Sequence, residues 1–421
     1  MRPSGRLEVA PRAAVYRGAT WGLALRSAFN TGLAVVAALA AALTPAGVGA
    51  APARAVAATT APTPSPVRYP PIASALAGRL DGLASGVFAR EPVGSLTVGV
   101  VRDGRLAWTA SYGTADLTTG ARAGEATVYR VASVTKQFTA LMLLQLVNEG
   151  VVHLSDPVSR FVPEIRQVKG GRAGAAPVTL FQLATHTSGL AVESDDAATY
   201  AKGPVAGWET ALLTALPRTR YAAEPGIRYA YSNIDYAILA LALSRAAKTS
   251  YVKYLHHRIF MPLGMTHTTF NPPAPPGQLA RGYVIQAGLP HGETPQRELA
   301  GRGYKVPSGG AYSTVDDLAK FVAFQMGYGP DSVLPRSVLL ANRELLVAGN
   351  ARLDGGYGVG FQVFPANGYV LLGHVGGIAG YRSLTAFDPE TRVGVIVLRN
   401  ISEGEFDPLA LGKSLVRAAR D

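Results

Sequence analysis

Cysteine is absent from all 421 residues. Disulfides, thiol nucleophiles and cysteine-held zinc are therefore excluded. Histidine offers metals little more: none of the seven lies in an H-E-x-x-H pattern, and His256 and His257 are adjacent, so their side chains diverge. No metal and no cofactor is expected. The G-x-S-x-G elbow of one large hydrolase class is missing too. Charged residues make up only 16% of the chain against 48% hydrophobic, so a sizeable core can be buried. The net charge of +12 is scattered and contains no basic run, which argues against a nucleic-acid partner. Part of it belongs to residues 1–58, where six arginines and one glutamate leave +5.

What is present begins with that leader. Arg2, Arg6, Arg12, Arg17 and Arg26 precede an apolar stretch, Leu33 to Leu43, followed by small residues. The pattern predicts a signal peptide over 1–58, cleaved near 50–58, and export to the periplasm or the extracellular space. The apolar stretch is shorter than the roughly 20 residues of a membrane span. No stable membrane insertion after cleavage is expected; a retained anchor is the alternative. Residues 59–71 form a Pro/Thr linker with nothing to pack.

From residue 72 onward the chain is patterned. A helix is predicted over 72–90, with Ile72, Leu76, Leu80, Leu83 and Val87 at helical spacing. A hairpin follows, Ser95–Val101 and Leu106–Tyr112 about the Asp103-Gly104 turn. Helices with many Pro/Gly breaks fill 150–300. Strands return at 356–363, 369–374, 381–387 and 393–398, and a helix closes the chain near 406–419. Strands at both ends predict one antiparallel sheet shared by 72–149 and 301–421, with an all-helical part over 150–300. A cleft between two such parts is a common place for a site.

The chemistry centres on Ser133-Val134-Thr135-Lys136, at the head of a segment that is apolar almost all round: Phe138, Leu141, Met142, Leu143, Leu144, Leu146 and Val147. Such a helix is a buried one. The spacing puts Ser133 and Lys136 on one face of its first turn. A serine needs a base to become a nucleophile. Burial and a helix N-terminus both disfavour a charged lysine, which makes Lys136 a candidate base. The spacing alone is weak, and it recurs at Ser250-Tyr251-Val252-Lys253. Order along the chain separates the two: only Ser133 precedes both Tyr231-Ser232-Asn233 and His374-Val375-Gly376-Gly377.

With these motifs the chain resembles the serine hydrolases of the class C β-lactamase and penicillin-binding-protein family, in the branch that includes D-stereospecific peptidases and esterases. Further matches are Leu154-Ser155-Asp156-Pro157-Val158, His186-Thr187-Ser188-Gly189-Leu190, Pro225-Gly226, Pro262-Leu263-Gly264-Met265-Thr266, Gly309-Gly310 with Ser313-Thr314, and Tyr357-Gly358-Val359-Gly360. They extend over about 72–415. The resemblance implies an α+β fold of the β-lactamase/transpeptidase type, an antiparallel sheet flanked by helices plus an all-helical region. It also implies roles. Ser133 would be acylated, with Lys136 and Tyr231 moving protons. Asn233 would bond the substrate amide or the lysine. The N–H groups of Ser133 and Gly377 would form the oxyanion hole, with Gly376 and Gly377 letting substrate lie close to the strand.

His374 departs from the pattern of penicillin-hydrolysing members, which usually place a lysine there to meet a substrate carboxylate. The expected activity is therefore hydrolysis of a small-molecule ester, amide or D-peptide-like substrate. The alternatives are a class C-like β-lactamase and a non-catalytic cell-envelope binding protein that keeps the fold. A class A β-lactamase is disfavoured, since the middle motif is Tyr-Ser-Asn and no E-x-x-L-N is present. His186 as the base of a Ser-His-Asp arrangement is a weaker expectation. The sequence carries no code for oligomeric state.

Overall fold

A computed structural model of the chain describes residues 72–172, 174–271, 278–295, 301–348 and 355–420. The expected leader (1–58), the linker (59–71) and most of the Pro-rich break at 271–276 lie outside the described residues. Helix α1 spans Ser74–Arg90 and buries Leu76, Leu80 and Ala84. Leu83, assigned to the same stripe from the sequence, is exposed: it lies at the rim of the stripe, whose centre is the buried 76, 80 and 84.

Among the described residues, nine strands form the large sheet. They are β1 (Ser95–Arg102), β2 (Arg105–Asp116), β3 (Ala121–Arg122), β4 (Leu346–Ala348), β5 (Gly356–Gly358), β6 (Gln362–Ala366), β7 (Tyr369–Ile378), β8 (Tyr381–Phe387) and β9 (Gly394–Arg399), in the spatial order β3-β2-β1-β9-β8-β7-β6-β5-β4. Every pairing is antiparallel. β1 pairs with β9, in register Val98 to Val397 and Val100 to Val395, so an early and a late segment of the described chain meet in mid-sheet.

Both faces of that centre are covered. On one, Val98, Val100, Val395 and Val397 pack with α1 and with the closing helix α5 (Pro408–Arg420). On the other lie α2 (Thr135–Asn148) and α4 (Val315–Ala323). Gly99 makes the second contact possible: a Cβ there would sit 2.7 Å from Val315 Cγ2. β1 is buried on both faces although its sequence alternates: Leu96, Val98 and Val100 face one side, and Ser95, Thr97 and Gly99 the other, where the hydroxyls of Ser95 and Thr97 bond Tyr129 OH.

Among the described residues, no strand of the large sheet comes from 150–300. This stretch holds α3 (Asn233–Ala247), shorter helices at Leu180–Ala184, Ala197–Tyr200, Trp208–Ala215 and Tyr251–Leu255, and one separate hairpin, Val284–Gln286 with Leu289–His291. Side-chain caps act at helix starts. Thr179 and Gln182 form a reciprocal capping box, and the Thr314 side chain accepts from the Asp317 N–H.

Three local readings change. The single strand expected over 356–363 is two, β5 and β6, folded back on each other. Gly360 makes the reversal at φ +83°, pressed so closely on α2 that a Cβ would lie 2.2 Å from that of Ala140. The strand expected to stop at His374 continues to Ile378, because Gly376 and Gly377 stay in register with Ser383 and Arg382. Ser133 sits not in the α-helix but in a 3₁₀ turn, Ala132–Val134, that feeds α2. Ala132 at φ +48° cannot be helical, so the α-helix starts after it.

Candidate active site

Helix α2 is buried from Thr135 through Leu146. Its polar side chains are therefore partnered inside the protein. Gln145 donates to Val333 O, Thr139 to Pro307 O, and Gln137 accepts from Thr385 Oγ1. Lys136 is fully buried at the head of this helix.

The turn carrying Ser133 is fastened on two sides. Ser383 Oγ of β8 donates to Val131 O at 2.7 Å, and the Val131 N–H donates to Ala311 O. Thr135 Oγ1 donates to Ala132 O at 2.6 Å while accepting the Ala311 N–H. Gly376 explains how close the turn comes to the sheet. A Cβ there would lie 2.4 Å from Val131 O and 2.2 Å from Ser383 Oγ. Gly377 is different: a Cβ there would meet only open space along the strand.

Two side chains converge on Ser133 Oγ. Lys136 Nζ lies 3.2 Å away, and Tyr231 OH donates to it at 2.9 Å. Lys136 Nζ also lies 2.8 Å from Asn233 Oδ1 and 2.8 Å from Ser308 O. Tyr231 and Asn233 flank Ser232, the cap of α3, whose hydroxyl accepts the Asp235 N–H. Ser133, Lys136, Tyr231 and Asn233 thus meet at the heads of two buried helices. Burial holds Lys136 well below its ordinary pKa, with Arg302 and Lys305 acting the same way and Glu193 and Asp235 opposing. Burial pushes the Tyr231 phenol up, so it is held as O–H.

His374 is close by but turned inward. Its Nδ1 lies 2.6 Å from Val375 O and its Nε2 3.1 Å from Tyr357 OH. Nδ1 therefore carries the proton and Nε2 accepts. Burial takes its pKa down to about 3. His374 brings no cation to the site.

His186 is buried at φ +57°, its ring 4.5 Å from that of Tyr231. Its Nδ1 accepts the Ser232 N–H at 3.2 Å and faces Asp235 Oδ2 at 3.3 Å. It supports the floor under Tyr231, whereas Ser133 Oγ is engaged by Lys136 and Tyr231.

Sequence reasoning passed over four contributors: Glu193, Tyr304, Lys305 and the carbonyl of Ser308. Asn233 Nδ2 donates to Glu193 Oε1 at 2.8 Å; Tyr304 OH donates to Glu193 Oε2 at 2.6 Å, and Lys305 Nζ lies 2.7 Å from Oε1. Only the neighbouring Gly309-Gly310 marked this segment. A lone glutamate three residues past the Gly189-Leu190 turn has no readable pattern.

The second Ser-x-x-Lys falls elsewhere. Ser250 and Lys253 are exposed at the start of the helix Tyr251–Leu255, and Tyr251 between them is buried.

The family model described as Beta-lactamase matches residues 80–419. Protein flp of Staphylococcus aureus (strain N315) is 28% identical over 306 residues, 72% of this chain and 59% of its own. The D-alanyl-D-alanine-carboxypeptidase/endopeptidase AmpH of Escherichia coli (strain K12) is 36% identical over 226 residues, 53% of this chain and 55% of its own. The chain thus spans a little over half the length of these curated relatives. In fold it is similar to the D-amino acid amidase of Ochrobactrum anthropi SV3, with a TM-score of 0.69 at 22% identity over 82% of this chain and 99% of that one. Matched over nearly all of its described length, with the sheet, the two helix heads and the motifs in order, this chain belongs to the beta-lactamase family of serine hydrolases.

Proposed function

We propose that the protein is an exported hydrolase that cleaves an ester or a D-peptide-like amide through an acyl-enzyme on Ser133, with Lys136 as the base. One observation carries this reading: the surroundings of the Lys136 amine. A neutral amine has two N–H donors and one lone pair. Asn233 Oδ1 and Ser308 O are two acceptors at 2.8 Å, which leaves the lone pair for the Ser133 hydroxyl at 3.2 Å. Burial favours the same neutral form. A phenolate at Tyr231 is disfavoured by its burial, so Tyr231 serves as an acid rather than as the first base.

The steps follow. Lys136 takes the Ser133 proton as Oγ bonds to the substrate carbonyl carbon, and the carbonyl oxygen becomes an oxyanion facing the N–H groups of Ser133 and Gly377. Collapse breaks the bond to the leaving alcohol or amine, which takes the Tyr231 proton; Lys136 returns its proton to Tyr231. Water then adds to the acyl carbon, losing a proton to Lys136, and Ser133 Oγ leaves and is reprotonated. The four chemical groups are all side chains and backbone of this chain.

A neutral His374 offers no charge to a substrate carboxylate, which favours esters and amides over β-lactams. The D-specific names of AmpH and of the amidase agree with that substrate class. Export rests on the arginine-rich, then apolar, start of the chain. The test uses the mature protein and Ser133→Ala side by side with a fluorophosphonate, short-chain nitrophenyl esters, a D-alanyl amide and nitrocefin. Labelling of Ser133 and ester or amide turnover, both lost in Ser133→Ala, are expected. Faster turnover of nitrocefin than of the others would put the β-lactamase reading first. Absence of both labelling and turnover would leave the binding-protein reading.

A further inference from the structure

Asn233 presents a question that its neighbours answer. Its side-chain amide can sit either way round, O or N toward Lys136. Glu193 is acceptor-only, so the amide nitrogen must face it, at 2.8 Å. That leaves Oδ1 on the Lys136 side, at 2.8 Å. Turned over, Asn233 would offer an N–H to the one lone pair that Lys136 has for Ser133, and would place its oxygen against a carboxylate. Glu193 is itself held: Tyr304 OH donates to Oε2 at 2.6 Å and Lys305 Nζ pairs with Oε1 at 2.7 Å. Its side chain is 23% exposed and that of Lys305 19%, so the clamp forms one wall of the site and not a surface ion pair.

We propose that Glu193, clamped by Lys305 and Tyr304, is the positioning residue that fixes the Asn233 amide and thereby keeps the Lys136 lone pair aimed at Ser133. The inference rests on Lys136 being the base. It assigns to the loop after Gly189-Leu190 a part in the reaction that its sequence does not advertise.

The clamp also carries charge, and this makes the proposal testable by sign. The groups facing Lys136 are Glu193 from the 190s loop, Arg302 and Lys305 from the segment before Ser308, Asp235 from α3, and His186 and His374 behind it. The tyrosines 231 and 236 lie over it, with ring centres 4.8 and 5.6 Å from Nζ. Glu193 favours the ammonium; Lys305 disfavours it. Removing the two partners of one ion pair should therefore move the titration of Lys136 in opposite directions.

The experiment follows the Lys136 ε-carbon by NMR in protein labelled with ¹³C-lysine, assigned with Lys136→Arg, alongside the pH dependence of Ser133 labelling by a fluorophosphonate. Glu193→Gln should lower the midpoint and Lys305→Met raise it, each on the order of one pH unit. Glu193→Ala frees the amide and should slow Ser133 labelling roughly ten- to a hundredfold at the pH optimum. Glu193→Gln, which still accepts from Asn233, should restore most of that rate, a rescue that a merely structural role would not give. Circular dichroism checks that each variant is folded; should Glu193→Ala fail to fold, the opposed shifts of the other two carry the test. Midpoints that stay put, or move the same way in both variants, overturn the proposal, as does wild-type labelling in a folded Glu193→Ala. Should Ser133 take no label even in the wild type, the hydrolase reading fails, and the NMR midpoints still decide whether the clamp acts on Lys136.

Discussion

Two stretches of this chain carry a serine and a lysine three residues apart, and they have opposite fates. Ser133 and Lys136 stand at the head of a helix that is buried almost all along its length, and the amine is fully buried. Ser250 and Lys253 lie at the start of a short helix that buries Tyr251, Tyr254 and Leu255, but both of their own side chains face solvent. In water a lysine keeps its proton and a serine beside it stays inert. Buried, with two carbonyl oxygens at 2.8 Å, the same lysine favours the neutral amine. The spacing is identical; what differs is the dielectric and the acceptors around it, and under the proposed function these set the reactivity.

Mutation should break this comparison most sharply at the serines. Ser133→Ala and Lys136→Ala should each lower ester turnover by about 10³-fold or more. Ser250→Ala and Lys253→Ala, at exposed positions, should stay within about twofold of wild type. Initial rates on a nitrophenyl ester measure both pairs. Next comes Tyr231→Phe. It removes the hydroxyl 2.9 Å from Ser133 Oγ and keeps the ring, so kcat should fall about 10²-fold or more with folding intact. The second Ser-x-x-Lys has no tyrosine hydroxyl aimed at its serine to lose: Tyr251 OH is bonded to Thr139 inside the core.

A smaller effect should come from the seating of the turn. Gly376→Ala forces a methyl against Val131 O and should cost about 1–3 kcal/mol in urea denaturation, with a lower labelling rate of Ser133. Gly377→Ala, one residue on and facing open space, should change stability by no more than about 0.5 kcal/mol.

The smallest effect concerns pH. His374 is neutral when folded, with a pKa about 3, and titrates near its ordinary value of about 6.5 when unfolded. The unfolded chain therefore takes up the proton first. Stability from this group is complete above about pH 6.5 and is lost as pH falls from there toward about 3. Between pH 6.5 and 5.5 the wild type should lose about 1 kcal/mol more than His374→Gln, measured by urea denaturation at each pH. Buried His186, also held below its ordinary pKa, adds a loss of the same sign to both proteins.

The legible part of the site is the part built from short contiguous pieces at helix heads. Ser133-to-Lys136 and Tyr231-to-Asn233 were readable because each is followed by a helix apolar on every face. Glu193, Tyr304, Lys305 and Ser308 were not, because they join the site from loops and act through a carboxylate, a hydroxyl, an ammonium and a carbonyl that have no sequence pattern. His374 was half legible. Its lack of charge could be anticipated from an ordinary histidine pKa. That its ring turns inward, bonded to Val375 O and Tyr357, depends on β5 folding back against β6, which the unbroken reading of 356–363 concealed.

The sequence by itself determined the elements and their order: an all-apolar helix behind Ser133, strands at both ends of the catalytic segment, capped helices between, and the family those motifs belong to. These follow from local periodicity and local turn chemistry, which act over a few residues. Order along the chain already told the two Ser-x-x-Lys stretches apart, but only tertiary structure decided how their surroundings differ, one buried against two carbonyl oxygens and the other facing solvent. Burial, the facing acceptors and the closeness of Gly376 to the Ser133 turn come from residues far apart in the chain. A pKa responds to whatever surrounds the group in space, whichever part of the chain supplies it.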